Sequence, residues 1–121
     1  MRRCLVLSFV ILVAGCGRRS TEDLIKELKD ADAARRLEAV RELGRRDEAA
    51  VVPALVEALK DANGYVRRDA ALALGKFGQE ARLAVSGLLA ARKDKERMVR
   101  KAVAEALRSI DPQAAAKAGI P

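Results

Sequence analysis

Few side chains in this sequence could carry out covalent or acid–base chemistry. There is no His among the 121 residues, and the two cysteines are Cys4 and Cys16. The commonest general base and the commonest neutral metal ligand are therefore missing, which disfavours hydrolase triads and zinc sites. Acids at helix starts and on solvent-facing surfaces are usually solvated, so we expect no enzyme activity, no cofactor and no metal site. The acids that could in principle pair as catalytic carboxylates are Glu48, Glu57, Glu80 and Glu96.

Cys16 follows a segment with the order of a secretory signal peptide. Arg2 and Arg3 provide a positive start, an apolar run interrupted by one serine extends over residues 4–13, and small residues precede Cys16. The run is far shorter than the roughly 20 residues of a membrane-spanning helix. We therefore expect residues 1–15 to be removed as a signal peptide rather than retained.

The stretch Leu12-Val13-Ala14-Gly15-Cys16 resembles the lipobox of bacterial lipoproteins. The resemblance implies that Cys16 is acylated and becomes the first residue of the mature chain, with residues 16–20 as a lipid-anchored linker. It also implies export, with the chain anchored on the periplasmic face of the inner or the outer membrane. The alternatives are an ordinary signal peptide, or a membrane anchor that carries a cysteine at this position by chance.

Three Asp/Arg pairs recur along the rest of the chain, each with an internal spacing of six residues. An Asp can accept backbone N–H groups at the start of a helix, and an Arg further along can reach back to the same or a neighbouring Asp. We therefore interpret the pairs as a structural ladder between repeats, and the alternative is that the arginines bind an acidic partner. The pairs are Asp30 with Arg36, Asp61 with Arg67, and Asp94 with Arg100.

Amphipathic helices must position these pairs. The Asp residues are separated by 31 and 33 positions, a period typical of helical arrays. Apolar residues follow helical spacing after each Arg, most clearly at Val99, Val103 and Leu107. Ser20, Asp47 and Asp111 are candidate N-caps. The pattern predicts helices near residues 21–29, 33–44, 48–60, 65–77, 80–92, 95–109 and 112–118.

The repeat resembles HEAT repeats, particularly the short bacterial kind related to phycobilisome-lyase-type repeats. Pro53, Asp61 and Arg67 match the family pattern in spacing, while Glu22 and Ser86 stand where the other repeats would carry the Pro. The resemblance covers roughly residues 22–118 and implies an all-α fold. We expect a short α-solenoid of about three units over residues 21–118, followed by a tail at 119–121.

The face formed by the second helix of each repeat would be the binding surface, as the resemblance implies. Such faces in HEAT proteins commonly bind other proteins. The candidate partner-binding residues on this face are Glu57, Lys60, Arg82 and Arg92.

The formal charge of +7 does not by itself indicate nucleic-acid binding. Loss of residues 1–15 removes Arg2 and Arg3 but no acid, which leaves +5. The remaining basic residues are interleaved with acids, and aromatic residues for base stacking are scarce, so we expect no nucleic acid as a partner. The same scarcity of aromatic residues disfavours a large pocket for a small-molecule substrate.

The leading interpretation is a non-catalytic envelope lipoprotein whose HEAT surface binds or scaffolds a protein in the cell envelope, with the membrane contacted through the N-terminal lipid. One alternative is a lyase- or chaperone-like helper for a bound cofactor such as a tetrapyrrole, since some HEAT-like relatives act on tetrapyrroles. A further alternative is a cytosolic protein whose basic faces contact nucleic acid.

Overall fold

The computed structural model describes residues 17–121. The predicted signal peptide and the predicted lipidation at Cys16 lie outside this range. Within it the chain forms seven α-helices and one 3₁₀ segment, and no strand is present in these residues. The helices are α1 Thr21–Glu27, α2 Ala33–Leu43, α3 Val51–Ala58, α4 Gly64–Lys76, α5 Val85–Ala91, α6 Arg97–Ile110 and α7 Pro112–Lys117, with the 3₁₀ segment Gly78–Ala84 before α5.

The helices are arranged in two layers. In the first layer α4 packs between α2 and α6, and in the second layer lie α1, α3, α5 with its 3₁₀ segment, and α7. Each helix of the second layer packs against a helix of the first, and α3 also contacts the 3₁₀ segment. This arrangement confirms the predicted all-α repeat fold.

Aliphatic side chains fill the space between the layers. Leu43, Leu74 and Leu107 occupy equivalent positions on the apolar stripes of the three first-layer helices, and all three are completely buried. Burying a side chain of this size contributes about 1.5–3 kcal/mol relative to leaving it exposed. Because each stripe is covered only by neighbouring helices, the stability of each pair depends on the next.

Glycines allow the first-layer helices to approach closely. A Cβ added at Gly44 would lie 3.0 Å from the Ala73 Cβ, and one at Gly75 would lie 3.2 Å from the Ala106 Cα. The position equivalent to these glycines in α6 is Arg108, which hydrogen-bonds to the Pro121 carbonyl. The α2–α4 and α4–α6 contacts are therefore close at a glycine, whereas the last first-layer helix, α6, carries a large side chain at this position.

Side-chain caps fix most helix starts. Ser20 and Asp23 form a capping box at α1, Asn63 accepts the amides of Tyr65 and Val66 at α4, and Asp111 accepts the Ala114 amide at α7. Each such cap satisfies amides that have no partner within the helix and is worth about 1 kcal/mol.

Two details differ from the predicted helices. Asp47 is not an N-cap, because α3 begins only at Val51 and its N-cap position is Ala50. The predicted helix 80–92 is divided, because residues up to Ala84 form a 3₁₀ segment in which Ala81 has non-helical φ and ψ angles of −94° and 23°. Gly78, two residues before the predicted start, adopts a φ of +56°. The left-handed glycine stops the continuation of α4, and the chain resumes as a 3₁₀ segment before α5.

The C-terminal residues fold back on the last helices. Gly119 has φ +77, and the Ile120 amide donates to the Ala115 carbonyl at 2.9 Å. Ile120 is partly buried against the core. No helix within the described residues has the length and apolarity required to cross a bilayer.

Candidate functional site

The Asp of each pair lies in the turn before a first-layer helix, and the Arg lies in that helix. The structure connects each pair to the next. Arg36 donates through Nε and Nη2 to the Asp61 carboxylate at 2.8 and 3.2 Å. Arg67 donates in the same way to Asp94 at 2.8 and 3.1 Å. The carboxylate partner of each arginine is thus the Asp of the following repeat.

Each of these arginines also fastens the turn that precedes it. Arg36 Nη1 donates to the Asp30 carbonyl, and Arg67 Nη1 donates to the Asp61 carbonyl, both at 2.7 Å. One guanidinium therefore binds both its own turn and the next one, which fixes the spacing of successive helical pairs.

The Asp residues use their remaining acceptor sites on the backbone. Asp30, Asp61 and Asp94 accept the amide two residues further on, at 2.8, 2.8 and 2.9 Å. Burial of the Asp94 carboxyl would by itself raise its pKa, but hydrogen bonds from Arg67 and the Glu96 amide and the charge of Arg67 hold the pKa below its ordinary value of 3.8. Asp94 therefore stays ionised in the folded chain at neutral pH.

The ladder is incomplete at both ends. Arg100 Nη1 donates to the Asp94 and Lys95 carbonyls at 2.7 and 3.0 Å. Asp30 lies 3.6 Å from Arg35, and no arginine of another repeat within residues 17–121 reaches it. The three predicted pairs are therefore brought together as two bridges with two open termini.

A first groove runs between α1 and α3 on the face of the second layer. Its volume is ≈ 460 Å³, and its walls are mainly aliphatic. The charged residues Lys29, Glu57 and Asp61 lie at its edge. The other lining residues are Ile25, Leu28, Ala50, Pro53, Ala54 and Ala58.

A second groove lies on the other side of α3, facing α5. It has a volume of ≈ 500 Å³, and Val56, Leu59 and Gly87 lie along it. Gly87 keeps α5 close to α3, since a Cβ there would lie 3.3 Å from Val56 Cγ1. Exposed lysines at its edge are Lys60, Lys93 and Lys95. The two grooves flank one helix, so the second-layer face is an open, apolar surface with charged edges.

The four predicted partner-binding residues have different surroundings. Glu57 and Lys60 are exposed and line the first and the second groove respectively. Arg82 is exposed on the 3₁₀ segment and lines neither groove. Arg92 donates to the Ala118 carbonyl, so its guanidinium holds α7 in place.

Sequence analysis missed two features of the structure. Ile25 and Leu28, which were not named as candidates, are partly buried and form a wall of the first groove. Arg41 and Asp69 form an additional bridge between α2 and α4 at 2.7 Å. The bridge has no equivalent in the next repeat, where Leu72 and Ala102 take these positions, so the repeat pattern carried no signal for it.

The repeat array as a whole is similar to known proteins. The family profile of HEAT repeats matches residues 21–108. No curated protein matches the chain by sequence. Solved structures do match the chain.

A chain from the complex of CpcE and CpcF of phycocyanin lyase from Nostoc sp. PCC7120 is 34% identical, with a TM-score of 0.74 over 84% of this chain. An engineered protein of the Northeast Structural Genomics Consortium is 25% identical, with a TM-score of 0.65 over 84% of this chain. The chain spans 41% and 52% of the lengths of these two proteins.

The likeness to a lyase subunit contradicts the prediction that the chain is not an enzyme. That prediction rested on the missing His and the scarcity of thiols, which exclude hydrolase triads and zinc sites. It did not extend to a lyase in which a helical-repeat chain works within a complex.

The repeats, the ladder and the matching profile agree over most of the described residues. The chain belongs to the HEAT-repeat family.

Proposed function

We propose that the chain works as a subunit of a lyase-type assembly, in which the second-layer face binds a protein together with its tetrapyrrole. The observation that carries this proposal is the likeness to a phycocyanin lyase subunit at 34% identity. The first groove supports it, because an open aliphatic groove is a suitable surface for a partner's apolar side chains or for an apolar ring system.

The ladder supports the proposal by fixing the groove before anything binds. The Arg36–Asp61 bridge connects the turns that follow α1 and α3, and the Arg67–Asp94 bridge connects the turns that follow α3 and α5. Both bridges are largely shielded from solvent, so the first sets the width of the first groove and the second sets that of the second groove. A preformed groove loses less conformational entropy on binding than a flexible one.

The charged edges supply polar contacts for such a ligand. Lys29 stands at the edge of the first groove, and Lys60 and Lys93 stand at the edge of the second. Ammonium groups in these positions can pair with the carboxylates of a tetrapyrrole while its rings lie on the aliphatic floor.

A titration tests the tetrapyrrole part of the proposal. The purified chain is titrated with a linear tetrapyrrole, and the visible absorption band is followed. We expect saturable binding that Ala54→Arg, which fills the first groove, weakens by about tenfold. Ala116→Arg, on the exposed side of α7, is the matched control and should bind like the wild type. Equal affinities for the two variants, or no saturable change with the wild type, would contradict the proposal.

We also propose that the chain is exported and anchored by a lipid at Cys16, so that its protein partner lies in the cell envelope. The support is the order of charged, apolar and small residues over 1–16 and the likeness of residues 12–16 to a lipobox. Metabolic labelling with palmitate should mark the wild type and not Cys16→Ser. Unlabelled wild type that still carries residues 1–15 would refute this location.

A further inference from the structure

Arg100 is the third ladder arginine, and it is held in the same way as the other two. The Nη1 atoms of Arg36, Arg67 and Arg100 each donate to a carbonyl of the preceding turn at 2.7 Å. In Arg36 and Arg67 the remaining edge of the guanidinium, Nε and Nη2, binds a carboxylate in a bidentate manner. Arg100 therefore has the orientation in which Arg36 and Arg67 each bind a carboxylate.

No carboxylate within residues 17–121 occupies this edge of Arg100. Residues 1–16 contain no Asp or Glu, so they cannot supply a side-chain carboxylate either. The guanidinium is exposed, and its position is already fixed by two hydrogen bonds to the backbone. A ligand that binds there costs little side-chain conformational entropy, because the guanidinium is already ordered.

The sequence segment that contains Arg100 carries most of the excess positive charge of the protein. Residues 92–101 contain six basic and two acidic residues, a formal charge of +4. One of the two acids, Asp94, is already bound by Arg67. The potential around the Arg100 edge is therefore positive and attracts acidic groups.

The outer side of α6 also offers apolar surface beside Arg100. Ala104 is half-buried, whereas Ala71, its equivalent in α4, is completely buried. The difference arises because α4 has a first-layer helix on both sides and α6 has one on a single side. A partner could thus cover Ala104 while placing an acid on Arg100.

We propose that Arg100 and this side of α6 form a second binding site, which receives a carboxylate from an acidic segment of another protein. The carboxylate is bound by Nε and Nη2, as Arg36 binds Asp61. Asp94 and Lys95, whose carbonyls hold Arg100, also line the second groove, but Arg100 itself lines neither groove. Loss of the Arg100 site can therefore be separated from loss of the proposed function of the grooves.

The structure favours another protein over a second copy as the source of the acid. In a copy the matching residue would be Asp30, which already lies 3.6 Å from Arg35. The acids near Asp30 at the N-terminal end of the array are engaged as well, because Arg19 binds Glu27 and Glu38 at 2.8 and 3.1 Å.

Fluorescence anisotropy with a labelled oligo-aspartate peptide tests the site on the purified chain. We expect Arg100→Gln to lower the affinity about tenfold, since both charge and bidentate geometry are lost. Arg100→Lys keeps the charge but loses the planar fork, so it should still weaken binding by several-fold. Arg82→Gln removes one exposed charge elsewhere and is the matched control, with an expected change within about twofold.

Three results would overturn the proposal. Equal losses in Arg100→Gln and Arg82→Gln, or wild-type affinity in Arg100→Lys, would mean that the peptide responds to overall charge alone. Self-association of the wild type in sedimentation velocity that disappears in Arg100→Gln would assign the site to a second copy. Far-UV circular dichroism of each variant confirms that the helices are intact.

Discussion

Arg67 binds the Asp94 carboxylate through both Nε and Nη2, at 2.8 and 3.1 Å, although the residues are 27 positions apart and belong to successive helical pairs. Both side chains are largely shielded, with 9% and 11% of their surfaces exposed. The same guanidinium holds the turn before α4 through the Asp61 and Ala62 carbonyls. Arg67 is thus the residue through which the middle of the array connects to its last pair.

Replacement of Arg67 should strongly lower the stability of the fold. Arg67→Ala leaves Asp94 and two carbonyls without their donor in a shielded position, and we expect a loss of about 3–5 kcal/mol in the free energy of unfolding. Arg100→Ala, at the equivalent but exposed position, should cost under about 1 kcal/mol. Urea unfolding followed by circular dichroism measures both, and similar losses would show that the bridge contributes little.

The lowered pKa of Asp94 predicts how stability depends on pH. Because the folded pKa lies below the ordinary value of 3.8, the bridge contributes its full stability above that value and loses it as the pH falls through the folded pKa. The melting temperature of the wild type should therefore fall more steeply below about pH 4 than that of Asp94→Asn. Parallel profiles of wild type and variant would contradict the assignment.

Gly75 should not accept a large side chain. A Cβ at this position lies 3.2 Å from the Ala106 Cα, a backbone atom that cannot move independently of α6. We expect Gly75→Leu to lower the free energy of unfolding by about 1–3 kcal/mol through overpacking. The equivalent position in the last repeat is Arg108, so Arg108→Leu should change stability by less than about 1 kcal/mol. Thermal unfolding of both variants makes the comparison, and a neutral Gly75→Leu would show that α4 and α6 can separate without cost.

Much of this architecture could be predicted from the sequence, because the same Asp/Arg pair recurs at three equivalent turns. Asp30, Asp61 and Asp94 recur with an Arg six residues later, and a repeated pair of this kind specifies repeated turns. Ser20 and Asp111 predict their helix starts correctly because the capping interaction is local.

Other features depend on contacts that a single sequence does not reveal. Spacing alone did not determine whether Arg36 binds its own Asp or a neighbouring one, since both lie within reach of a long side chain. Asp47 looked like a cap, yet α3 begins at Val51. The half-buried wall formed by Ile25 and Leu28 depends on how far α1 lies from α3, which is a property of the packed layers.

Binding of a protein to the second-layer face of this HEAT array can be tested in native cells. The most direct measurement places a photoreactive amino acid at Ala54, in the first groove, or at Ser109, on the exposed side of α6, and identifies the crosslinked proteins in native cells by mass spectrometry. We expect one protein to crosslink strongly from Ala54, and we expect Glu57→Arg, at an exposed position in the same groove, to abolish the crosslink. Equal crosslinking from both positions, or none from Ala54 in the folded chain, would contradict binding to this face.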